Sequence, residues 1–239
     1  YLYLYASNNN DAPVRPVWVS KNQEVVRALR SAGYEAYSSR SPKGLFTLLQ
    51  AGWVVYSHLL DDVGWWWLAG GAKLINATHG VILKDTPRDM SWRPRVLLEH
   101  DYVLTTSKFH EAVIGESVWT DDLDETSLTT GYPRDDVLYR HVDGCDLLHE
   151  EDFEMVEARA SDATLLSYNP THKPYSGEHP IFDDDENVTE LNRVLSEQNA
   201  YLLVKNHPSL GRALMPEAVD RIIVLPSSLD MYPVLKHID

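Results

Sequence analysis

The sequence predicts an α/β protein built on parallel sheets with helices on both faces. Three observations predict it. Short apolar strands alternate with amphipathic helices through both halves of the chain. At 239 residues, with 44% hydrophobic and 24% charged residues, the chain can bury one large or two modest cores. The residue types best suited to chemistry follow directly after strands, where open parallel sheets collect ligands.

The elements follow in order. Tyr1 to Tyr5 alternates Leu with Tyr before the polar run Asn8 to Asp11, which predicts a short strand and a loop. Pro16 to Ser20 reads as a strand. Val25, Val26 and Leu29 recur at helical spacing until Gly33, and Tyr34 to Tyr37 is the next strand. Ser41-Pro42 opens a helix carrying Leu45, Leu48 and Leu49, which Gly52 closes; the unbroken run from Trp53 to Ser57 predicts a strand buried on both faces. Strands at Lys73 to Ala77 and Tyr102 to Thr106 end at Thr78-His79-Gly80 and at Ser107. The acidic, helical stretch Asp143 to Asp162 marks a boundary between a domain of residues 1–150 and one of residues 151–239. Beyond it come a strand at Ala163 to Tyr168, a helix through Val188 to Gln198, strands at Tyr201 to Lys205 and Ile222 to Leu225, and a helix start at Leu229.

Thirty-six acidic against 21 basic residues give a formal net charge of −15, which repels nucleic-acid backbones and anionic lipid alike. No nucleic-acid partner is expected. Asp (21) exceeds Glu (15), and Lys (8) is scarcer than Arg (13), a balance expected where high salt screens an acidic surface. The chain therefore reads as salt-adapted. Cys145 is the single cysteine, so no internal disulfide is available. No apolar run approaches the length of about 18 residues that a spanning helix needs, and the chain starts inside an apolar strand-like stretch and stops directly after an apolar helix-like one, as a fragment would.

Four loops carry candidate chemistry. His79, with Gly80 behind it and Lys84 nearby, leaves a strand end, and an imidazole titrating near neutrality suits a general base. A packed, hydrogen-bonded histidine is the competing reading. Gly131-Tyr132-Pro133-Arg134-Asp135 is a tight loop aiming Arg134 away from the sheet; its planar fork suits a phosphate, but alone the loop reads better as a turn with a solvated Arg134–Asp135 pair. Thr171, His172 and Lys173 offer hydroxyl, imidazole and ammonium beyond one strand, and Lys205, His207 and Pro208 follow another. These last two loops make an anion site or merely punctuate strand exits, with nothing in their spacing to choose. No glycine-rich nucleotide loop, paired-Cys pattern or His-Glu-x-x-His helix exists, so no metal is expected. Trp65-Trp66-Trp67 reads as a buried cap on the sheet rather than an exposed contact.

Taken in order, these pieces resemble the CDP-glycerol glycerophosphotransferase family, which builds or primes teichoic-acid-like polymers. The resemblance runs from Tyr37 to Gly44, through Asn76 to Gly80 with Lys84, Asp101 to Ser107, Thr130 to Asp135, Leu165 to Lys173 and Lys205 to Pro208, to Leu229 to Leu235. Thr78 stands where the family's motif has Trp, and His172-Lys173 where it has an aromatic followed by Arg. The resemblance implies a GT-B-like fold of two Rossmann-like lobes, acceptor on the first and donor on the second, the second being incomplete. It implies transfer of glycerol phosphate from CDP-glycerol, a nucleotide-linked donor, to a hydroxyl of a lipid-linked or polymer acceptor with release of CMP and no cofactor. His79 would be the base and His207 would join it in catalysis. Gly80, Lys84, Gly131, Arg134, Asp135, Thr171, Lys173, Lys205, Pro208 and Asp230 would bind substrate. The enzyme would work in the cytoplasm, with a peripheral contact at the inner membrane face left open. Another GT-B enzyme using a nucleotide-sugar, or a catalytically idle nucleotide-binding partner, are the competing readings.

Overall fold

Residues 1–57, 60–78, 100–117, 123–170, 182, 184–206 and 219–239 are described by the computed structural model. The first element is a helix, α1 (Leu2–Asn8), in place of the expected strand. Five consecutive apolar residues satisfy either period, so alternation there carried no information. Tertiary contact decides: the Tyr3 ring packs on Trp18 and Tyr34, and its hydroxyl donates to the Glu35 carbonyl at 2.7 Å.

Next come β1 (Trp18–Ser20), α2 (Gln23–Ser31), β2 (Ala36–Ser38) and α3 (Pro42–Gln50). Both helices start where local chemistry directs. Asn22 accepts the Glu24 and Val25 amides, and Ser41 accepts the Gly44 amide at 3.0 Å with Pro42 opening the first turn. β1 and β2 pair in parallel.

A second parallel sheet has the order β3-β4-β5-β6, made of β3 (Trp53–Tyr56), β4 (Lys73–Asn76), β5 (Tyr102–Thr105) and β6 (Ser127–Thr129). Helices α4 (Lys108–Ser117) and α5 (Leu123–Thr126) lie between β5 and β6 in sequence. β3 is an edge strand, and it corrects the expectation of burial on both faces. Val54 and Tyr56 are buried, whereas Trp53 and Val55 are exposed. An unbroken apolar run does not reveal which face is covered. The tryptophan triplet is corrected likewise: Trp65 and Trp67 are exposed beside a 3-10 turn at Trp66–Ala69 and stack edge to face on each other, 5.0 Å between centroids.

In the last stretch, α6 (Glu150–Ala160), β7 (Thr164–Tyr168), α7 (Asp185–Glu197), β8 (Ala200–Lys205), β9 (Ile222–Leu225) and α8 (Tyr232–Leu235) form a three-stranded parallel sheet of order β7-β8-β9. Its two faces are separate cores. Tyr201 and Leu203 point to Val156, Leu165, Leu225, Leu229 and Val234; Ala200 and Val204 point to Leu195, Ile222 and Phe182. The helix expected from Leu229 begins three residues later, because Leu229 is drawn into the core and Asp230 Oδ1 accepts the Tyr232 amide at 3.0 Å.

The chain divides into two compact units, Tyr1–Asp136 with Val142–Cys145, and Val137–His141 with Asp146–Asp239. No helix among the described residues is long and apolar enough to cross a membrane.

Candidate functional site

Parallel pairing brings the carboxyl ends of β4, β5 and β6 to one edge, so three exit loops adjoin: Ala77-Thr78, Thr106-Ser107 and Thr130-Gly131-Tyr132. Thr78, the residue before His79, has φ +46°, a left-handed conformation that a β-branched residue seldom adopts. Three bonds hold it. Its amide donates to Asn76 Oδ1 at 2.9 Å, its hydroxyl donates to the Tyr132 hydroxyl at 2.6 Å, and its carbonyl accepts Arg134 Nη1 at 3.4 Å.

Tyr132 is reached through Gly131, whose φ of +77° suits glycine while a Cβ there would meet nothing within 4 Å. Backbone conformation, not close approach, asks for that glycine. The Tyr132 ring is buried, with the Arg134 guanidinium over its face at 4.3 Å and the His110 ring against its edge at 5.7 Å. Arg134 therefore is not the solvated partner of a surface pair: its side chain is 17% exposed, and Nε stands 3.9 Å from Asp135 Oδ1. The loop folds it back toward the exit of β4 instead of away from the sheet.

His110, fully buried in the first turn of α4, went unmarked by sequence reasoning. Ser107 accepts its amide at 3.1 Å, and the Ser-x-x-His spacing after a strand end was the available signal. The Thr106 amide donates to His110 Nδ1 at 3.2 Å. A backbone amide can only donate, so Nδ1 is an acceptor and the ring proton sits on Nε2; the Tyr132 hydroxyl stands 3.2 Å from Nε2 and 3.3 Å from Nδ1. Burial, then the nearby Arg134 charge, lowers the pKa of His110 and keeps it neutral. The next residue, Glu111, is buried, with both carboxylate oxygens 2.9 Å from Lys108 Nζ and one 3.3 Å from Thr129 Oγ1; these donors, Lys108 first, hold its pKa down.

In the second unit Lys205 is the last residue of β8, and burial lowers its pKa while the Asp230 charge opposes the shift. Asp230 itself is exposed and caps the turn into α8. Of the residues singled out from sequence, Gly131, Arg134, Asp135, Lys205 and Asp230 are thus placed. His79, Gly80, Lys84, Thr171, Lys173, His207 and Pro208 lie outside the described residues. No group of three or more His, Cys, Asp or Glu among the described residues is arranged to hold a metal ion.

Parallel sheets whose strand ends carry polar clusters place the chain in the α/β class. The chain belongs to the CDP-glycerol:poly(glycerophosphate) glycerophosphotransferase family, whose model matches residues 1–239. This bears out the resemblance drawn from the ordered motifs. A search of curated proteins found no match. Among solved structures, the chain is similar to the wall teichoic acid polymerase TagF. A variant of it with one histidine replaced by asparagine matches with TM-score 0.69 at 18% identity, over 100% of this chain and 60% of that one. The same variant soaked with CDPG gives 0.66 at 18%, again over 100% and 60%, and the polymerase without a stated substitution gives 0.61 at 18%, over 99% and 59%. The chain thus spans about 60% of the length of these structures, and at such identity the likeness establishes the α/β fold with parallel sheets.

Proposed function

We propose that the protein transfers glycerol phosphate from CDP-glycerol to a hydroxyl of a cell-surface polymer or lipid-linked acceptor, releasing CMP. The observation that carries this reading is the family match over the whole chain. The soaking of the similar polymerase with CDPG supports a nucleotide-linked donor. In this reading the fold is GT-B-like, the residues of 1–150 take the acceptor and those of 151–239 the donor. His79 removes the proton from the acceptor hydroxyl as its oxygen forms a bond to the donor's β-phosphorus. The bond from that phosphorus to the bridging oxygen breaks, and CMP leaves with the electron pair.

The remaining residues have electrostatic tasks. Lys205, whose ammonium is partly desolvated beside Asp230, neutralises charge growing on the pyrophosphate, together with His207 and Lys173. Thr171, Pro208 and Asp230 join them in binding the donor, and Gly80, Lys84, Gly131, Arg134 and Asp135 bind substrate from the first half of the chain. The acidic composition suits a cytoplasmic enzyme of a salt-rich cell that meets its acceptor at the inner membrane face.

The test follows CMP release by the full-length protein in molar salt, given CDP-glycerol and lipid-linked acceptor. Release should require acceptor, and His79→Ala should slow it by roughly a hundred to ten thousand-fold while donor binding survives. Donor bound without CMP release in the parent protein would overturn the transferase reading. Near-parental turnover in His79→Ala would overturn the base.

A further inference from the structure

We infer that His110 is a positioning residue, acting through the Tyr132 hydroxyl to hold Thr78 in the left-handed backbone conformation from which the chain passes to His79. The inference rests on the proposed role of His79 and adds how the residue before it is fixed. A left-handed threonine persists only where its surroundings over-determine it. Here two of the three bonds that hold Thr78 come from one stacked pair, Tyr132 at its hydroxyl and Arg134 at its carbonyl.

That pair is itself placed from beneath. The His110 and Tyr132 rings meet edge to face, and the Tyr132 hydroxyl lies 3.2 Å from Nε2 and 3.3 Å from Nδ1 of His110, within hydrogen-bond reach of both nitrogens. The hydroxyl thus accepts from Thr78 and is hydrogen-bonded to the His110 ring, which fixes its position between them. Packing alone does not require an imidazole here, since an apolar ring would fill the same space without two polar atoms to satisfy. Being fully buried, His110 does not itself touch substrate. Among the described residues, Arg134 is the charged group that bears on its titration, and the Thr106 amide and hydroxyl and the Tyr132 hydroxyl face its ring.

Three variants of the full-length protein test this. His110→Phe keeps a ring and removes both nitrogens, Tyr132→Phe removes the hydroxyl, and His110→Gln retains an amide donor. His110→Phe and Tyr132→Phe should each lower kcat by roughly tenfold with donor KM within about twofold of the parent. The double variant should lose no more than either single one, because both break the same chain of bonds. His110→Gln should recover most of the rate. Losses that multiply in the double variant, or a folded His110→Phe with parental kcat, would overturn the inference.

A readout independent of turnover separates this from the role of His79. In NMR spectra of protein carrying labelled histidine and threonine, His110 should show the neutral Nε2–H tautomer, and the Thr78 methyl resonance should move in His110→Phe. An unmoved Thr78 methyl would sink the positioning role even if His79→Ala is inactive. A moved methyl together with a fully active His79→Ala would uphold the coupling and reject only the base.

Discussion

Gly44→Ala separates local preference from tertiary packing. Gly44 lies in the first turn of α3, and helix propensity alone makes alanine there more stable by about 1 kcal/mol. The structure reverses the sign. A Cβ at Gly44 would stand 2.1 Å from the Ser38 carbonyl oxygen at the end of β2 and 3.0 Å from its carbon. These are backbone atoms, so no side-chain rotation relieves the clash, and α3 must move away from β2 by nearly an ångström. The same movement pulls the Ser41 cap, whose hydroxyl donates to the Ser38 carbonyl at 2.8 Å. Overpacking of this kind costs about 3 kcal/mol at the upper end of its usual range. Less the propensity gain, about 2 kcal/mol of destabilisation remains, a fall in Tm of roughly 4–8 °C for a chain of this size. Thermal unfolding followed by near-UV circular dichroism on the parent, Gly44→Ala and Gly52→Ala measures it. Gly52→Ala is the control, since a Cβ there meets nothing within 4 Å. A Gly44→Ala protein as stable as the parent would refute the packing argument.

Three further outcomes are expected. Leu203→Ala empties a fully buried site on the central strand of the β7-β8-β9 sheet and should cost about 2–5 kcal/mol, read as a shift in urea midpoint; a loss under about 1 kcal/mol would mean that face is not close-packed. Because the folded pKa of Glu111 is depressed, its contribution to stability is present above the ordinary carboxylate pKa, near 4.3, and is lost as pH falls through the lower folded value. The urea midpoint of the parent should therefore fall more steeply below about pH 4 than that of Glu111→Gln, and parallel curves would dismiss the linkage. Arg134→Lys keeps the charge but loses the planar stack on Tyr132 and the Nη1 bond to the Thr78 carbonyl, so CMP release should drop by roughly tenfold. Unchanged release would remove Arg134 from the site.

Much of the fold was legible because its causes are local. The Ser41-Pro42 opening and the strand–helix alternation act over a few residues, and each fell within a few positions of its predicted place. The family was legible in the order of its motifs, and the match over residues 1–239 agrees. The site was legible only in part. Gly131 and Arg134 were marked for a tight loop and a phosphate-binding fork, yet the Arg134 side chain lies on Tyr132 and turns toward Thr78. The one sequence signal at His110, the Ser-x-x-His spacing after a strand end, marks a helix cap and not the contacts its ring makes.

What the sequence alone determined is therefore the alternation of elements, the Ser41-Pro42 helix start, the parallel α/β class and the family. Tertiary structure decided that residues 2–8 are helical, that Trp53 and Val55 of β3 face outward, and that Thr78, His110 and Tyr132 converge. The physical reason is sequence distance. Caps and periodicity act within a turn or two, whereas Thr78 meets Tyr132 across 54 residues and Tyr132 meets His110 across 22. Only parallel pairing of β4, β5 and β6 brings those strand ends together, and the left-handed backbone of Thr78 exists because of the groups found there.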